Sequence, residues 1–138
     1  MKEIYQTTVT VSGGRNGHAK SEDGLLELDL RIPKEMGGQG GHTNPEQLFA
    51  AGYAACFDSA LALVLRKEKV ETTGESVIKS TVGIFVNENQ GYELTVKLSV
   101  HIPGVDADRA RDIVNKVHQI CPYSNAVRGN IDVVLEIV

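Results

Sequence analysis

The sequence predicts one α+β domain spanning residues 1–138, with mostly antiparallel strands and two helices in the order β-β-helix-β-β-helix-β. Segments rich in β-branched residues, or alternating between apolar and polar residues, predict strands, and apolar residues at helical spacing predict helices. The predicted strands cover residues 4–11, 25–32, 76–86, 92–101 and 131–138. The predicted helices cover residues 45–69 and 106–121.

Two strands are predicted in the first part of the chain. β-branched residues between Ile4 and Val11 predict the first strand, and a glycine-rich turn follows at 12–17. The second strand alternates, so we expect it to be half-buried and to end at Pro33, which cannot donate to a β-ladder. Its apolar face is predicted to contain Leu26, Leu28, Leu30 and Ile32.

The long helix predicted after Asn44 is the most apolar part of the chain. Asn44 is suited to the N-cap and Pro45 to the first helical position, while Gln47 occupies the third helical position of a capping box. Residues 48–57 are apolar on nearly every face, which predicts burial on most sides. A chain of 138 residues has little material to wrap such a helix, so we expect a second subunit to cover part of it. The helix is predicted to end near Lys69.

A β-hairpin and an amphipathic helix are predicted in the second part of the chain. The hairpin turns at residues 87–91. Asp106 is suited to the N-cap of the helix, and Pro122 predicts its end because the residue before a proline disfavours helical backbone. A short turn is expected over residues 124–128, before Gly129. The apolar face of the helix contains Ala110, Ile113, Val114, Val117 and Cys121.

Charge and hydropathy argue against several classes of partner. The formal net charge of −4 disfavours binding to a nucleic acid backbone, which requires a basic face. We expect no stretch of the sequence to approach the roughly 18 apolar residues of a membrane span. Residues 1–6 lack the apolar core of a signal peptide. We therefore expect a cytoplasmic protein with no nucleic acid partner and no membrane partner.

The two cysteines, Cys56 and Cys121, leave four interpretations open from the residues alone: buried core, metal site, redox pair, or nucleophile with an uninvolved second thiol. Cys56 lies eleven positions after Pro45, too far for the helix N-terminus to activate it, and burial would raise its pKa. A reactive Cys56 would therefore need a cation from elsewhere. His118 and Cys121 have a spacing that can bind zinc, but no second pair accompanies them. We therefore predict no metal, and expect His118 on the polar side of its helix.

Three segments of the chain resemble motifs of the OsmC/Ohr superfamily. The longest runs from Gly41 to Phe57 and is similar to the central motif of that superfamily. The segment Cys121–Ala126 resembles its second cysteine motif, and Gly13–Gly17 resembles the glycine-flanked arginine near its N-terminus. The match covers essentially the whole chain in order. Residues 47–49 and 52–53 resemble the organic hydroperoxide resistance (Ohr) branch more than the OsmC branch.

This resemblance implies a fold, a reaction and partners. It implies a long buried central helix between mostly antiparallel sheets in an intertwined homodimer. It also implies a peroxidase without a cofactor, which reduces organic hydroperoxides, including fatty-acid hydroperoxides, and is recycled by dihydrolipoyl groups of lipoylated proteins or by dihydrolipoamide. Cys56 would be the peroxidatic thiolate and Cys121 the resolving thiol. Arg15 and Glu46 would favour the thiolate, with Glu46 holding the guanidinium in a bidentate contact.

The positions of these residues along the helix add two expectations. Phe49, Tyr53 and Phe57 lie near Cys56, so we expect them to form an apolar pocket for the organic part of the substrate. Glu46 and Cys56 are ten residues apart, roughly 15 Å along a helix axis. We therefore expect Glu46 to act on the partner's Cys56. The alternatives are an OsmC-branch peroxidase with another substrate preference and a non-catalytic thiol redox sensor.

Overall fold

Two three-stranded sheets organise the chain, one in each of two structural units. The computed structural model describes all residues from 1 to 138, which divide into a unit of Met1–Leu48 and a unit of Phe49–Val138. Strands, helices and mixed pairing confirm the predicted α+β class. The strand order is β1-β2-β3 in the first sheet and β4-β5-β6 in the second.

The sheet of the first unit is wholly antiparallel and has one more strand than predicted. Its strands are β1 (Val9–Ser12), β2 (His18–Ser21) and β3 (Glu27–Asp29). The sequence prediction missed β2 because His-Ala-Lys-Ser contains no β-branched residue. The expected alternation around β3 holds in part, since Leu30 is buried whereas Leu26 is exposed.

The predicted strand over residues 4–11 is wrong in its first part. Residues 1–8 have no regular structure and are exposed, and β1 begins only at Val9. A strand needs a neighbouring strand for its backbone hydrogen bonds, and β-branched residues cannot form a ladder without one. Two short 3₁₀-helices complete the first unit, at Gly14–Asn16 and at Lys34–Met36.

The central helix α1 (Pro45–Lys67) begins as the sequence predicts. The Asn44 side chain accepts a hydrogen bond from the backbone N–H of Gln47 at 2.9 Å, as an N-cap does. The capping box is incomplete, because the Gln47 side chain accepts from the Thr43 hydroxyl instead, at 2.7 Å. The helix ends two residues before the predicted Lys69, which adopts left-handed backbone with φ of 54°.

Burial of α1 within one chain is confined to one face, and cover of its other faces by a second subunit stays a prediction. Ala51, Ala55 and Ala62 are exposed. By length and composition, α1 is also long and apolar enough to cross a membrane. The expectation that no segment approaches a membrane span is therefore wrong, because the single charge of Asp58 does not make the helix polar. One such helix is weak evidence for a span. The buried positions of α1 are Tyr53, Phe57, Ala60, Leu61 and Val64.

The second unit packs α1 and two further helices with a mixed sheet. Strands β4 (Val77–Val86) and β5 (Tyr92–His101) form the predicted antiparallel hairpin, and β6 (Val134–Ile137) pairs with β5 in parallel. Helix α2 covers Ala107–Ile120 and helix α3 covers Pro122–Val127. The turn expected at 124–128 is therefore helical, because Pro122 at the first position has a φ suited to starting a new helix.

A common core joins the elements of the second unit. The Asp106 side chain accepts from the Arg109 N–H at 2.9 Å, which confirms the predicted N-cap of α2. The apolar face predicted for α2 is buried along its whole length. The core contains Tyr53, Phe57, Leu61, Val64, Val96, Leu98, Val100, Ile102, Ala110, Ile113, Val114, Val117 and Cys121.

The contacts of His18 predict a pH-dependent stability of the first sheet. Its Nδ1 bonds Asp29 at 2.8 Å and its Nε2 bonds Glu27 at 3.0 Å, and these bonds raise the pKa of His18 above its usual value. A raised folded-state pKa stabilises the fold below the unfolded pKa, and this contribution disappears as pH rises through the folded pKa. The difference in urea midpoint between the native protein and His18→Gln should therefore be larger near about pH 6 than near about pH 8.5.

The matched control for this prediction is His42→Gln, since His42 is an exposed histidine of the same unit. Its urea midpoint should follow that of the native protein across the same pH range. A His18→Gln difference that grows with rising pH would contradict the assignment.

Candidate active site

The two cysteines of the chain meet in the core of the second unit. Cys56 is half-buried on α1, and Cys121 is fully buried between α2 and α3. Both are free thiols, and Cys121 Sγ lies 3.9 Å from Cys56 Sγ. Sixty-five residues separate them in sequence, so only the fold could show this contact.

The position of Cys121 follows from the backbone around it. Cys121 is both the C-cap of α2 and the N-cap of α3, with extended backbone at φ −63° and ψ 124°. Its N–H donates to the Val117 carbonyl and its carbonyl accepts from the Asn125 N–H, each at 2.9 Å. Each helix therefore fixes one side of this residue.

The backbone amide of Tyr123, two residues after Cys121, favours the charged form of Cys56 and lowers the pKa of this thiol. A Cβ placed on Gly52 would lie only 3.0 Å from the Tyr123 hydroxyl oxygen and 3.2 Å from its ring, so glycine gives the ring room against α1. The sequence interpretation assigned no role to Tyr123. Gly52 could have indicated such a close contact, because a glycine inside a helix destabilises it by about 1 kcal/mol relative to alanine and so suggests a packing reason.

Burial dominates the acidity of Cys56. It raises the pKa of this thiol above the usual value, the Tyr123 amide opposes the shift, and the nearby Cys121 adds to it. The sequence-based expectation that burial raises this pKa is therefore confirmed. A thiolate at neutral pH needs further stabilisation by a positive charge.

Arg15 and Glu46 form the bidentate pair that the resemblance implies. Arg15 Nη1 donates to Glu46 Oε2 at 2.8 Å, and Nη2 donates to Oε1 at 2.6 Å. The hydrogen bond from Arg15 is the main cause that lowers the pKa of Glu46, so this carboxylate is ionised at neutral pH. The two residues lie at the 3₁₀-helix Gly14–Asn16 and in the first turn of α1.

The loop that carries Arg15 depends on glycine at its ends. Gly13 has a φ of 79°, which strains residues with a Cβ. A Cβ on Gly17 would lie 1.8 Å from the Ser12 carbonyl oxygen, so no other residue fits this backbone. The glycines therefore define a tight turn that presents the arginine.

The three aromatic residues expected near Cys56 occupy two different environments. Tyr53 and Phe57 have no exposed surface in the chain, whereas Phe49 is half-buried. Phe49 lines a cavity of about 500 Å³ together with Leu94, Val127 and Ile131. The rings of Phe49 and Tyr53 are 6.2 Å apart and meet edge to face. Only Phe49 of the three is accessible from this cavity.

A buried hydrogen-bond chain runs behind the cysteines. The Ser124 hydroxyl has no exposed surface and bonds both the Tyr53 hydroxyl, at 2.7 Å, and His118 Nδ1, at 2.8 Å. His118 was expected on the polar side of its helix, but it is half-buried and bonded to Ser124, because α3 packs against α2. Burial and the neighbouring Arg128 lower the pKa of His118. No group of three or more His, Cys, Asp or Glu side chains is arranged to bind a metal.

The chain has two free thiols in contact and an arginine held by a carboxylate, and comparison with known proteins identifies its family. The OsmC-like protein family model matches residues 38–136. An organic hydroperoxide resistance protein of Xanthomonas axonopodis pv. citri is 49% identical over 135 residues, covering 97% of this chain and 94% of the relative. The chain belongs to the OsmC/Ohr superfamily, in its Ohr branch.

Solved structures agree with this assignment. The organic hydroperoxide resistance protein OsmC of Legionella pneumophila is 48% identical with a TM-score of 0.94, covering 99% of this chain and 98% of that one. An organic hydroperoxide resistance protein of Elizabethkingia anophelis is 52% identical with a TM-score of 0.94, at the same coverage. The predicted OsmC/Ohr-like fold is thereby confirmed.

The proximity of the two thiols predicts their ready oxidation to an intramolecular disulfide. A disulfide requires the sulfurs to approach to about 2.05 Å, which from 3.9 Å needs only side-chain rotation and a small shift. One equivalent of diamide should therefore remove both free thiols, as counted with Ellman's reagent, and leave a species of single-chain size on non-reducing gels. Cys56→Ser and Cys121→Ser should each keep one free thiol. Cross-linked chains as the main product would contradict the contact.

Proposed function

We propose that this protein is a cysteine-based peroxidase that reduces organic hydroperoxides, including fatty-acid hydroperoxides, to alcohols. The observation that carries the proposal is the contact between two free thiols, Cys56 and Cys121, on different elements of the core. The organic hydroperoxide resistance proteins among its relatives, similar over nearly the whole chain, support the same substrate class.

The first step consumes the hydroperoxide at Cys56. The thiolate sulfur attacks the terminal oxygen of the hydroperoxide, an S–O bond forms, and the O–O bond breaks. The organic oxygen leaves with a proton as an alcohol, and Cys56 becomes a sulfenic acid. The Tyr123 N–H supports this step because it lowers the pKa of Cys56 and so favours the thiolate.

The second step protects Cys56 from further oxidation. The Cys121 sulfur attacks the sulfenic sulfur, an S–S bond forms, and the sulfenic oxygen leaves as water. A dihydrolipoyl group, on a lipoylated protein or as dihydrolipoamide, then supplies two electrons and two protons and restores both thiols. The starting separation of 3.9 Å favours Cys121 as the resolving thiol.

Arg15 supplies the positive charge in this proposal, and Glu46 holds it in place. Burial raises the pKa of Cys56, and a guanidinium at the thiolate would offset that shift. Glu46 fixes the direction of the guanidinium through two hydrogen bonds. Because Glu46 and Cys56 are ten residues apart on α1, we propose that the pair acts on the partner's Cys56.

Action on the partner's Cys56 requires a homodimer, which would also cover apolar surface that a single chain leaves exposed. Within one chain only 28% of the most apolar 18-residue window of α1 is buried. Ile4 and Tyr5 in the irregular N-terminal segment are exposed, as are Val9 and Val11 of β1. Water contact with so much apolar surface is unfavourable, and a second copy of the chain would remove it.

The organic part of the substrate is assigned to the cavity beside Phe49. Its volume of about 500 Å³ is in the range of small-molecule sites. Leu94, Val127 and Ile131 make part of its lining apolar, and the remainder includes the polar residues Asn87, Glu93 and Asn130. Tyr53 and Phe57 act from behind as core residues that hold Phe49 and Cys56 in place. Hydrogen peroxide has no apolar part to bury here, so organic hydroperoxides are favoured.

Cysteine variants test the peroxidase function against its two alternatives. With dihydrolipoamide and an excess of organic hydroperoxide, we expect the native protein to turn over many times and Cys56→Ser to have no activity. Cys121→Ser should react once and then lose activity through overoxidation of Cys56. Peroxide loss and the mass of the protein measure both results.

The same assay separates the alternatives. A native protein that stops after one oxidation despite the reductant is a sensor. One that prefers hydrogen peroxide to organic hydroperoxides follows the OsmC-branch alternative.

Charge variants test the role of the Arg15–Glu46 pair. Arg15→Gln should slow the first reduction of hydroperoxide at pH 7 by about tenfold or more, because each unit of increase in the thiol pKa lowers the thiolate fraction tenfold. The rate should recover as pH rises toward the pKa of Cys56. Glu46→Gln should have a smaller effect in the same direction.

The matched controls are Arg109→Gln and Glu68→Gln, which break an ion pair of 3.3 Å in the same chain; Glu68→Gln also breaks the pair of Glu68 with Lys116 at 2.9 Å. Both should react at the native rate, as measured by stopped-flow mixing with limiting hydroperoxide. If Arg15→Gln reduced hydroperoxide slowly at every pH, Arg15 would have a structural role and would not stabilise the thiolate.

A further inference from the structure

The segment Cys121–Ser124 carries the Cys121 thiol, whose sulfur lies 3.9 Å from Cys56 Sγ. It consists of the residue between α2 and α3 and the first turn of α3, a helix of only six residues. Its position relative to α1 therefore decides whether the two sulfurs can meet.

Ser124 fastens this segment to two other helices. Its hydroxyl is fully buried and bonds the Tyr53 hydroxyl of α1 at 2.7 Å and His118 Nδ1 of α2 at 2.8 Å. Tyr53 lies three residues before Cys56, so this bond joins the turn of α1 that carries the thiol to the segment that carries Cys121. A serine hydroxyl can donate one hydrogen bond and accept others, so both partners are satisfied at once.

A second contact holds the same segment against α1. The Tyr123 ring packs over Gly52, where a Cβ would come within 3.0 to 3.4 Å of three of its atoms. The rings of Tyr123 and Tyr53 are 5.8 Å apart. Packing at Gly52 and hydrogen bonding at Ser124 therefore act on consecutive residues of the segment.

We propose that Ser124, with Tyr53 and His118, positions the resolving cysteine: these three residues hold Cys121 within reach of Cys56 and so set how readily the disulfide forms. Their hydrogen bonds run among the three side chains and not to the reacting sulfurs. The proposal rests on the proposed function in one respect, namely that a hydroperoxide is the oxidant of Cys56. The equilibrium between the two thiols and their disulfide does not depend on that function.

The equilibrium with glutathione measures this positioning directly. One oxidised glutathione and the two protein thiols give the Cys56–Cys121 disulfide and two reduced glutathiones, with no net gain or loss of electrons. The equilibrium constant is the effective concentration of one thiol toward the other. Ser124→Ala and Tyr53→Phe should each lower it by roughly tenfold, within the range expected for loss of a buried hydrogen bond.

His118 allows a rescue test. His118→Leu removes the nitrogen that bonds Ser124, whereas His118→Asn keeps a polar group at a similar position. We expect a low effective concentration for His118→Leu and a value nearer the native one for His118→Asn.

Two matched controls separate positioning from general loss of stability. Ser80→Ala removes a buried hydroxyl that has no hydrogen-bond partner, so it changes the same chemical group without breaking a contact. Ile113→Val lowers stability through the core of the same unit. Both should keep the native effective concentration. Equal losses in Ile113→Val and Tyr53→Phe would overturn the proposal.

A single-turnover assay connects the equilibrium to peroxide reduction. After one equivalent of organic hydroperoxide, dimedone should trap more Cys56 sulfenic acid in His118→Leu than in the native protein, while the initial peroxide loss is similar in both. Native values for Tyr53→Phe and His118→Leu in the glutathione equilibrium would overturn the proposal, even if Ser124→Ala fails to fold. A native protein that equilibrates with glutathione but consumes no hydroperoxide would overturn only the proposed function.

Discussion

The candidate active site depends on the interruption of helical backbone at Cys121. Pro122 has no N–H to continue α2, and its ring clashes with helical backbone before it, so one helix ends and another begins at the same residue. Without this break residues 121–124 would continue along the axis of α2. The amide of Tyr123 would then bond within the helix and would not reach Cys56. The thiol contact and the buried hydrogen bonds of Ser124 both follow from the change in direction.

The site combines two electrostatic demands that oppose each other. A buried thiol avoids overoxidation and side reactions, yet burial raises the pKa of Cys56 and so disfavours the reactive anion. The amide of Tyr123 offsets part of this effect within the unit. The proposed guanidinium is held by Glu46 with two hydrogen bonds, so less rotational freedom is lost when it meets an anion.

The fold and the site differ in how far the sequence predicts them. The hairpin, the start of α1 and the apolar face of α2 follow from local spacing and capping, and the structure confirms them. Strand β2 was missed because its residues have little β-propensity and it forms only through pairing with its neighbours. The bidentate pair of Arg15 and Glu46 was available only through the family resemblance, since 31 residues separate its members.

The environments of the four tyrosines allow the oxidation state of the cysteine pair to be followed by the protein's own spectroscopic signals. The protein contains no tryptophan, so tyrosine dominates its near-ultraviolet absorption, fluorescence and circular dichroism. The rings of Tyr53, which is buried, and Tyr123 lie 5.8 Å apart near the cysteine pair, whereas Tyr5 and Tyr92 are largely exposed. A chiral disulfide formed beside Tyr53 and Tyr123 would alter their signal and leave Tyr5 and Tyr92 as an internal reference. The redox state of the site can thus be read without any added label.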